Sequence, residues 1–167
     1  MTVSLNSIAD KDYHQYVINL IKKLFPTVTI SIVKRNFNMV DIKINSKIVA
    51  EFMRGMGVVP NNKYVPDWIK TNKSFSNYCV RGLIDTEGSI SFKHYKSRKR
   101  ESVYKQLNFR NYNPLLMNFV HKHLTNLEIK PSVSPKKSLY ISNPKSINLY
   151  LRIIGFSNPK LLRKVTL

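Results

Sequence analysis

The chain has 167 residues and carries 28 lysine and arginine residues against 9 aspartate and glutamate residues, which gives a formal net charge of +19. Its length predicts one domain or two fused small repeats, and its 43% hydrophobic content indicates a folded body and excludes a disordered basic arm. A folded basic protein favours nucleic acid as its partner over a membrane surface, and no apolar run approaches the roughly 18 residues of a transmembrane helix. The single Cys79 excludes an internal disulfide, and the N-terminus lacks the form of a signal peptide. We therefore expect an intracellular protein (cytoplasm, nucleoid or organelle matrix) that is not secreted.

Hydrophobic periodicity predicts a short strand near residues 2–6 and a helix over about 11–24. A hairpin is predicted next, with strands in TVTISIVKR and NMVDIKINS and a turn near residues 36–38. A helix over about 47–56 then leads into an irregular connector, GVVPNNKYVPDWIKTNK.

The second half of the chain follows the same alternation of helices and strand pairs. The predicted elements are a helix at about 74–86, strands at about 88–96 and 103–111 separated by the basic turn KSRKRE, a helix at about 114–126, a hairpin near 131–142, a helix at about 145–154 and a short end piece. An internal repeat supports this order, because INSKIVAEFMRGMGVVPNNK (44–63) parallels ISNPKSINLYLRIIGFSNPK (141–160). The second copy is complete, whereas the first lacks its first helix and first strand.

The most informative segment is VRGLIDTEG at 80–88, where two acids end a predicted helix and a glycine opens the next strand. Carboxylates at a helix C-terminus lie against the negative end of the helix dipole, which costs a few tenths of a kcal/mol each. A chain with few acids places Asp85 and Glu87 there, which predicts a positively charged partner. In so basic a chain, a divalent metal beside a phosphate is the leading candidate.

Three small side chains form a stripe on the same helix at spacings i, i+3 and i+7, namely Cys79, Gly82 and Thr86. Such a stripe allows a second helix backbone to approach closely, so we predict a helix-pair or dimer interface there. The alternative is an ordinary amphipathic helix that tolerates one glycine.

VRGLIDTEGSI resembles the signature of the LAGLIDADG homing endonucleases. Gly82, Leu83, Ile84, Asp85 and Gly88 match the signature letter for letter, Glu87 occupies its acidic metal-binding position, and Arg81 stands where the family name has alanine. The resemblance implies an α+β fold of αββαββα repeats with antiparallel sheets. It also implies a truncated first repeat over 1–60 that lacks its signature helix, a connector over 61–73 and a complete repeat over 74–167.

The family resemblance implies a site-specific, Mg²⁺- or Mn²⁺-dependent DNA endonuclease that acts on double-stranded DNA at paired signature helices and serves intron or intein mobility. Since this chain has one signature helix, we expect a homodimer or a complementary polypeptide that supplies the second helix. The alternative is a non-cleaving DNA- or RNA-binding protein on the same scaffold, such as a transcriptional regulator or an intron maturase.

The resemblance also assigns residues to the chemistry. Glu87 would ligate the metal with the main-chain carbonyl of Thr86, and Asp85 would lie beside it, although Asp85 can instead cap the helix or pair with Arg81. Lys160 and Lys63 match basic residues near the scissile phosphate, and Asn113 matches a residue that orders catalytic water. The alternatives are solvated lysines and, for Asn113, a helix N-cap before Pro114.

Polar and apolar residues alternate along the two strands after the signature, and the polar set contains few acids. Arg, Asn and Gln side chains on such a face suit major-groove readout, and a basic turn suits phosphate contacts. The predicted DNA-contacting residues are Ser89, Ser91, Lys93, Tyr95, Ser97, Gln106, Asn108 and Arg110 on the strands, and Lys96, Arg98, Lys99 and Arg100 in the turn.

Overall fold

A computed structural model describes residues 1–58, 64–97, 100–134 and 138–166, with side chains for all of these except Tyr95, Ser97 and Arg100. The chain forms two units, Met1–Asn62 with Ser157–Lys160 and Lys63–Phe156 with Leu161–Leu167. Each unit contains an antiparallel sheet, which confirms the predicted α+β class. The assignment of 1–60 to a truncated repeat, 61–73 to a connector and 74–167 to a complete repeat stays a prediction.

The first unit contains a three-stranded sheet with helices packed on one face. Its elements are β1 (Thr2–Asn6), α1 (Lys11–Leu24), β2 (Ile30–Arg35), β3 (Met39–Ile44) and α2 (Lys47–Gly55). The strand order is β1-β3-β2, and every second residue of β3 is buried against α1 and α2. The predicted strand near 2–6, the helix over 11–24 and the helix near 47–56 are confirmed.

The β2–β3 turn contains an exposed aromatic residue in a backbone conformation that bulky side chains rarely adopt. Phe37 has φ of 60° and is 94% exposed, and Asn38 follows with φ of 56°. Left-handed φ costs a bulky L-residue about 1 kcal/mol or more, whereas Asn tolerates it.

We expect Phe37→Asn to raise the free energy of unfolding by about 1 kcal/mol, because the strain is relieved and no packing is lost. Thermal unfolding followed by circular dichroism should show a rise in Tm of about 2–4 °C. The reverse change at the adjacent position, Asn38→Phe, should lower Tm. An unchanged or lower Tm for Phe37→Asn would contradict the strain argument.

The second unit contains the signature helix and a four-stranded sheet. Its elements are α3 (Asp67–Lys70), α4 (Lys73–Glu87), β4 (Gly88–Ser97), β5 (Arg100–Arg110), α5 (Pro114–Asn126), β6 (Ser132–Ser134), β7 (Ser138–Ile141) and α6 (Pro144–Ile153). A last helix, α7 (Pro159–Thr166), follows. Across the described ranges, no helix has both the length and the apolar character needed to cross a bilayer.

The core of the second unit lies on one face of its sheet. The strand order is β4-β5-β7-β6, and Phe109 of β5 and Ile141 of β7 are fully buried among the helices. Val80 and Ile84 of α4 and Tyr150 of α6 belong to the same apolar cluster. The opposite face of the sheet is therefore left for the polar residues of each strand.

The structure corrects the sequence predictions at three places. The strands β4 and β5 extend to Ser97 and from Arg100, so Lys96 and Arg100 lie in strands rather than in a long basic turn. The connector contains α3, whose one turn is supported by an ion pair of 2.9 Å between Lys70 and Asp67. The short end piece is α7, which begins at Pro159.

Candidate active site and nucleic-acid interface

The signature helix ends at a junction where the backbone leaves no room for a side chain. Asn72 begins α4 by accepting a hydrogen bond from the Phe75 N–H, and the Gly88 N–H closes the last turn on the Ile84 carbonyl. A Cβ on Gly88 would lie 2.3 Å from the Ile84 carbonyl oxygen and 2.7 Å from its Cγ2. The helix therefore passes directly into β4, and this places Glu87 at the start of the sheet.

Glu87 is exposed and is held by a residue that the sequence analysis missed. Asn111 Nδ2 donates to Glu87 Oε2 at 2.9 Å, and Asn111 Oδ1 accepts from the Asn113 N–H at 2.8 Å. The antiparallel register pairs Gly88 with Phe109, so the residues just after β5 lie beside Glu87. Continuing this register past the strand end is the sequence signal that finds Asn111.

Asp85 is buried, whereas Glu87 is exposed. The exposed fraction of Asp85 is 3%. Burial of the Tyr150 hydroxyl raises the pKa of that group, and the negative charge of Asp85 raises this pKa further. The Tyr150 hydroxyl is buried and has no hydrogen-bond partner among the described residues. The structure therefore separates the two signature acids into one exposed and one buried carboxylate.

Arg81, the residue that departs from the family name, connects α4 to α6. Its Nε donates to the Ile154 carbonyl at 2.5 Å, and its guanidinium lies 5.2 Å from the Tyr78 ring centroid. The positive charge of the guanidinium is well placed at the C-terminal end of α6. Arg81 is thus part of the packing between two helices, a role that a short alanine side chain does not perform.

The small stripe lies on the less covered side of α4. A Cβ on Gly82 would meet no atom within 4 Å in the described part of the chain, apart from its neighbours and its own helix. Thr86 is exposed, and its hydroxyl donates to the carbonyls of Gly82 and Leu83. Cys79 is partly buried, and burial raises the pKa of its thiol to about 11. The stripe therefore carries no charged side chain, which suits close contact with another helix.

The three other residues with predicted catalytic roles fall in different settings. Asn113 caps α5 by accepting from the Leu115 N–H at 3.0 Å, which is the N-cap role predicted from its position before Pro114. Lys160 lies in the first turn of α7 and not in a loop, and Lys63 lies outside the described residues.

Lys160 is part of a polar network in the first unit. Its Nζ lies 3.6 Å from Asp10 Oδ1, which also accepts from the Asn158 side chain at 3.2 Å. Asp10 Oδ2 accepts from the Asn6 N–H at 3.3 Å, and Asn158 is 2% exposed. The Lys160 ammonium is therefore held by a carboxylate that no local sequence pattern identifies.

The polar face of the second sheet is wider than the sequence analysis predicted. Register places Lys93 opposite Tyr104, Ser91 opposite Gln106 and Ser89 opposite Asn108, so these side chains share one face. Strands β7 and β6 continue the same face. The residues of this face that the sequence did not predict are Ser102 and Tyr104 of β5, Ser132 and Ser134 of β6, and Ser138 and Tyr140 of β7. Glu101 of β5 falls on the opposite face, so among the described strand residues the polar face has no acid.

Several polar side chains on this face bond to one another. Asn108 Nδ2 contacts Ser91 Oγ at 3.1 Å, Gln106 Nε2 contacts Ser142 Oγ at 2.8 Å, and Arg110 contacts the Tyr112 hydroxyl at 2.9 Å. Of the other residues predicted to contact DNA, Arg98 and Lys99 lie outside the described residues, as do the side chains of Tyr95, Ser97 and Arg100.

Known structures share this architecture, although no family model and no curated protein matches the sequence. I-DmoI, solved in complex with DNA and Ca, is 17% identical with a TM-score of 0.66, covering 99% of this chain and 82% of its own. The chain has the LAGLIDADG homing-endonuclease fold. Two further structures with this fold are the N-terminal LAGLIDADG domain of DUF199/WhiA (20% identity, TM-score 0.61, 99% of this chain and 75% of that one) and the meganuclease I-SmaMI bound to uncleavable DNA (13%, 0.60, 96% and 75%).

In this LAGLIDADG fold, α4 is the helix that carries the signature and β4 is the strand that follows it. The fold resemblance deduced from VRGLIDTEG is therefore supported by three-dimensional similarity over nearly the whole chain.

Proposed function

We propose that the protein is a site-specific DNA endonuclease of the LAGLIDADG type, which hydrolyses phosphodiesters with Mg²⁺ or Mn²⁺ at a pair of signature helices. The main observation behind this proposal is the position of Glu87, an exposed carboxylate where α4 meets the second sheet. Among the described strand residues, the polar face of that sheet has no acid. The fold is shared with I-DmoI, which has been solved in complex with DNA and Mn, and this supports the proposal.

The donor set of one chain suits a metal that is shared with the substrate. The described residues contain no group of three or more His, Cys, Asp and Glu side chains that can hold a metal ion. Mg²⁺ is commonly held by one or two carboxylates together with substrate phosphates, so Glu87 and the Thr86 carbonyl fit as the contribution of one chain. When bound, such a metal polarises the phosphate and lowers the pKa of a water molecule.

Residues around the carboxylate would orient it and attract DNA. Asn111 donates to Glu87 Oε2, and this contact would fix the orientation of the whole carboxylate. A carboxylate that is already oriented loses less conformational entropy when it binds a metal ion. Lys93 and Arg110 on the polar face would neutralise phosphates or contact guanine. The catalytic roles of Lys160, Lys63 and Asn113 remain proposals that rest on the resemblance.

A second signature helix would complete the site. The open space at Gly82 and the exposed Thr86 leave room for close approach of another helix. We therefore propose that two copies of the chain, or this chain and a complementary polypeptide, pair through the stripe of Cys79, Gly82 and Thr86. The pair would bring two exposed carboxylates to one DNA duplex.

The alternative is a non-cleaving DNA- or RNA-binding protein, such as a transcriptional regulator or an intron maturase. The ion pair between Lys160 and Asp10 favours this alternative, because the Lys160 ammonium then already has a carboxylate partner and is less available to a DNA phosphate. Binding through the polar face of the second sheet would not require Lys160.

Cleavage separates the two proposals. The purified protein is incubated with Mg²⁺ and DNA from its own genetic neighbourhood, and all new DNA ends are sequenced, with a matched reaction in EDTA. Discrete ends that need the metal support the endonuclease. DNA that is retained by the immobilised protein without new ends supports the non-cleaving DNA binder or a missing partner chain. A protein that neither cleaves nor retains DNA contradicts the endonuclease and the DNA-binding alternative, and only RNA binding is then left.

A further inference from the structure

The amide group of Asn108 is committed on its nitrogen side. Nδ2 lies 3.1 Å from Ser91 Oγ and 3.2 Å from the Gln106 main-chain carbonyl oxygen. A carbonyl oxygen only accepts hydrogen bonds, so the second contact settles which end of the amide is nitrogen. The two N–H groups of Asn108 therefore both have partners inside the sheet.

What Asn108 leaves for an outside partner is an acceptor, Oδ1. Bidentate recognition of adenine by asparagine needs one free N–H and the carbonyl oxygen together. Asn108, which the sequence analysis assigned to such readout, lacks the free N–H as long as Ser91 is present. Its Oδ1 can still accept from a base amino group, which adenine and cytosine both carry in the major groove.

Ser91 is the partner that occupies one of these N–H groups, because its Oγ accepts from Asn108 Nδ2 at 3.1 Å across the two strands. Ser91 therefore determines what Asn108 can offer to a base edge. Gln106 provides the contrast, since its Nε2 contacts Ser142 Oγ and its other N–H has no partner among the described residues.

We propose that Ser91 and Asn108 act as one specificity-determining pair, in which Ser91 restricts Asn108 to accepting from the amino group of adenine or cytosine. This inference rests on the proposed DNA binding and not on cleavage. It predicts that removing the Ser91 hydroxyl releases one Asn108 N–H and makes adenine readout bidentate. Loss of the Ser91 hydroxyl should then narrow the base preference from adenine or cytosine to adenine.

The test is selection of bound sequences from a random double-stranded DNA library in EDTA, so that cleavage does not interfere. Asn108→Ala identifies the base position that depends on this residue. Wild-type protein should accept adenine and cytosine there at comparable frequency, and Ser91→Ala should raise adenine over cytosine about tenfold. Asn108→Asp, which keeps the acceptor and loses both N–H groups, should retain the wild-type pair of bases.

Ser142→Ala is the matched control, because it removes a serine hydroxyl that bonds Gln106 and should leave the Asn108-dependent position unchanged. A uniform loss of affinity with unchanged preference in Ser91→Ala would show a purely structural pair and overturn the proposal. Guanine or thymine at that position in wild-type protein would overturn it as well. If no variant and no wild-type protein enriches any sequence, the proposed DNA binding fails and this inference falls with it.

Discussion

Glu87→Gln is expected to reduce DNA cleavage at least a hundredfold while DNA binding stays within a few-fold of wild type. Glutamine has nearly the same shape and its amide oxygen can still accept from Asn111, so the local structure should persist. The negative charge that a divalent metal requires is lost, and metal stabilisation of the transition state is worth several kcal/mol. Single-turnover cleavage of the identified target and equilibrium binding in EDTA measure the two effects separately.

The control for this change is Glu51→Gln. Glu51 is an exposed glutamate of α2 that forms an i, i+4 pair with Lys47 at 3.8 Å, so the same change in charge occurs away from the signature. Its cleavage rate should match wild type. A Glu87→Gln protein that cleaves within twofold of wild type would rule out Glu87 as the metal ligand.

Gly88→Ala is expected to lower the free energy of unfolding by about 2–3 kcal/mol, because the new Cβ collides with the Ile84 carbonyl oxygen at 2.3 Å. The main chain of a helix end cannot move aside as a flexible side chain does. For a chain of this length the corresponding fall in Tm is about 5–10 °C. Cleavage should fall too, since the junction that positions Glu87 must shift.

Gly82→Ala tests whether the effect at Gly88 comes from the close contact or from loss of any glycine. A Cβ on Gly82 meets open space within the described structure. In a helix interior, alanine is more favourable than glycine by about 1 kcal/mol. The Gly82→Ala chain should therefore unfold at an equal or higher temperature. If the stripe pairs with a second helix, the same variant should associate more weakly in sedimentation experiments. A Gly88→Ala protein as stable as wild type would refute the contact argument.

The elements that could be predicted from the sequence are those with strong periodicity. The helix predicted over 11–24 agrees with the observed bounds of α1, Lys11–Leu24. The signature helix and the strand after it follow directly from VRGLIDTEG. The last helix, α7, was not predicted, although the sequence contains a signal for its start. Asn158–Pro159 repeats the Asn113–Pro114 pattern that starts α5. In each case the asparagine side chain accepts from an N–H two residues later.

The site was less predictable than the elements, because its contacts join distant parts of the chain. Glu87 and the acid-free strands are local features. In contrast, the Asn111 contact depends on strand register, and the electrostatic effect of Asp85 on Tyr150 joins α4 to α6. Asn108 has the residue type expected for adenine readout, but its partners change what it can offer. A residue type therefore predicts a surface better than it predicts the bonds that the surface makes.

The return of residues 157–160 to the first unit has a consequence for biosynthesis. Asp10 meets Asn158 and Lys160, so the contact spans 148 positions of sequence between Asp10 and Asn158. A ribosome releases the N-terminal strands and helices long before Asn158 is made. The first unit therefore has to wait, with Asp10 Oδ1 lacking its Asn158 and Lys160 partners, until the second unit has been synthesised and has largely emerged. Nascent chains stalled before this segment should be more sensitive to proteases in the first unit than completed chains.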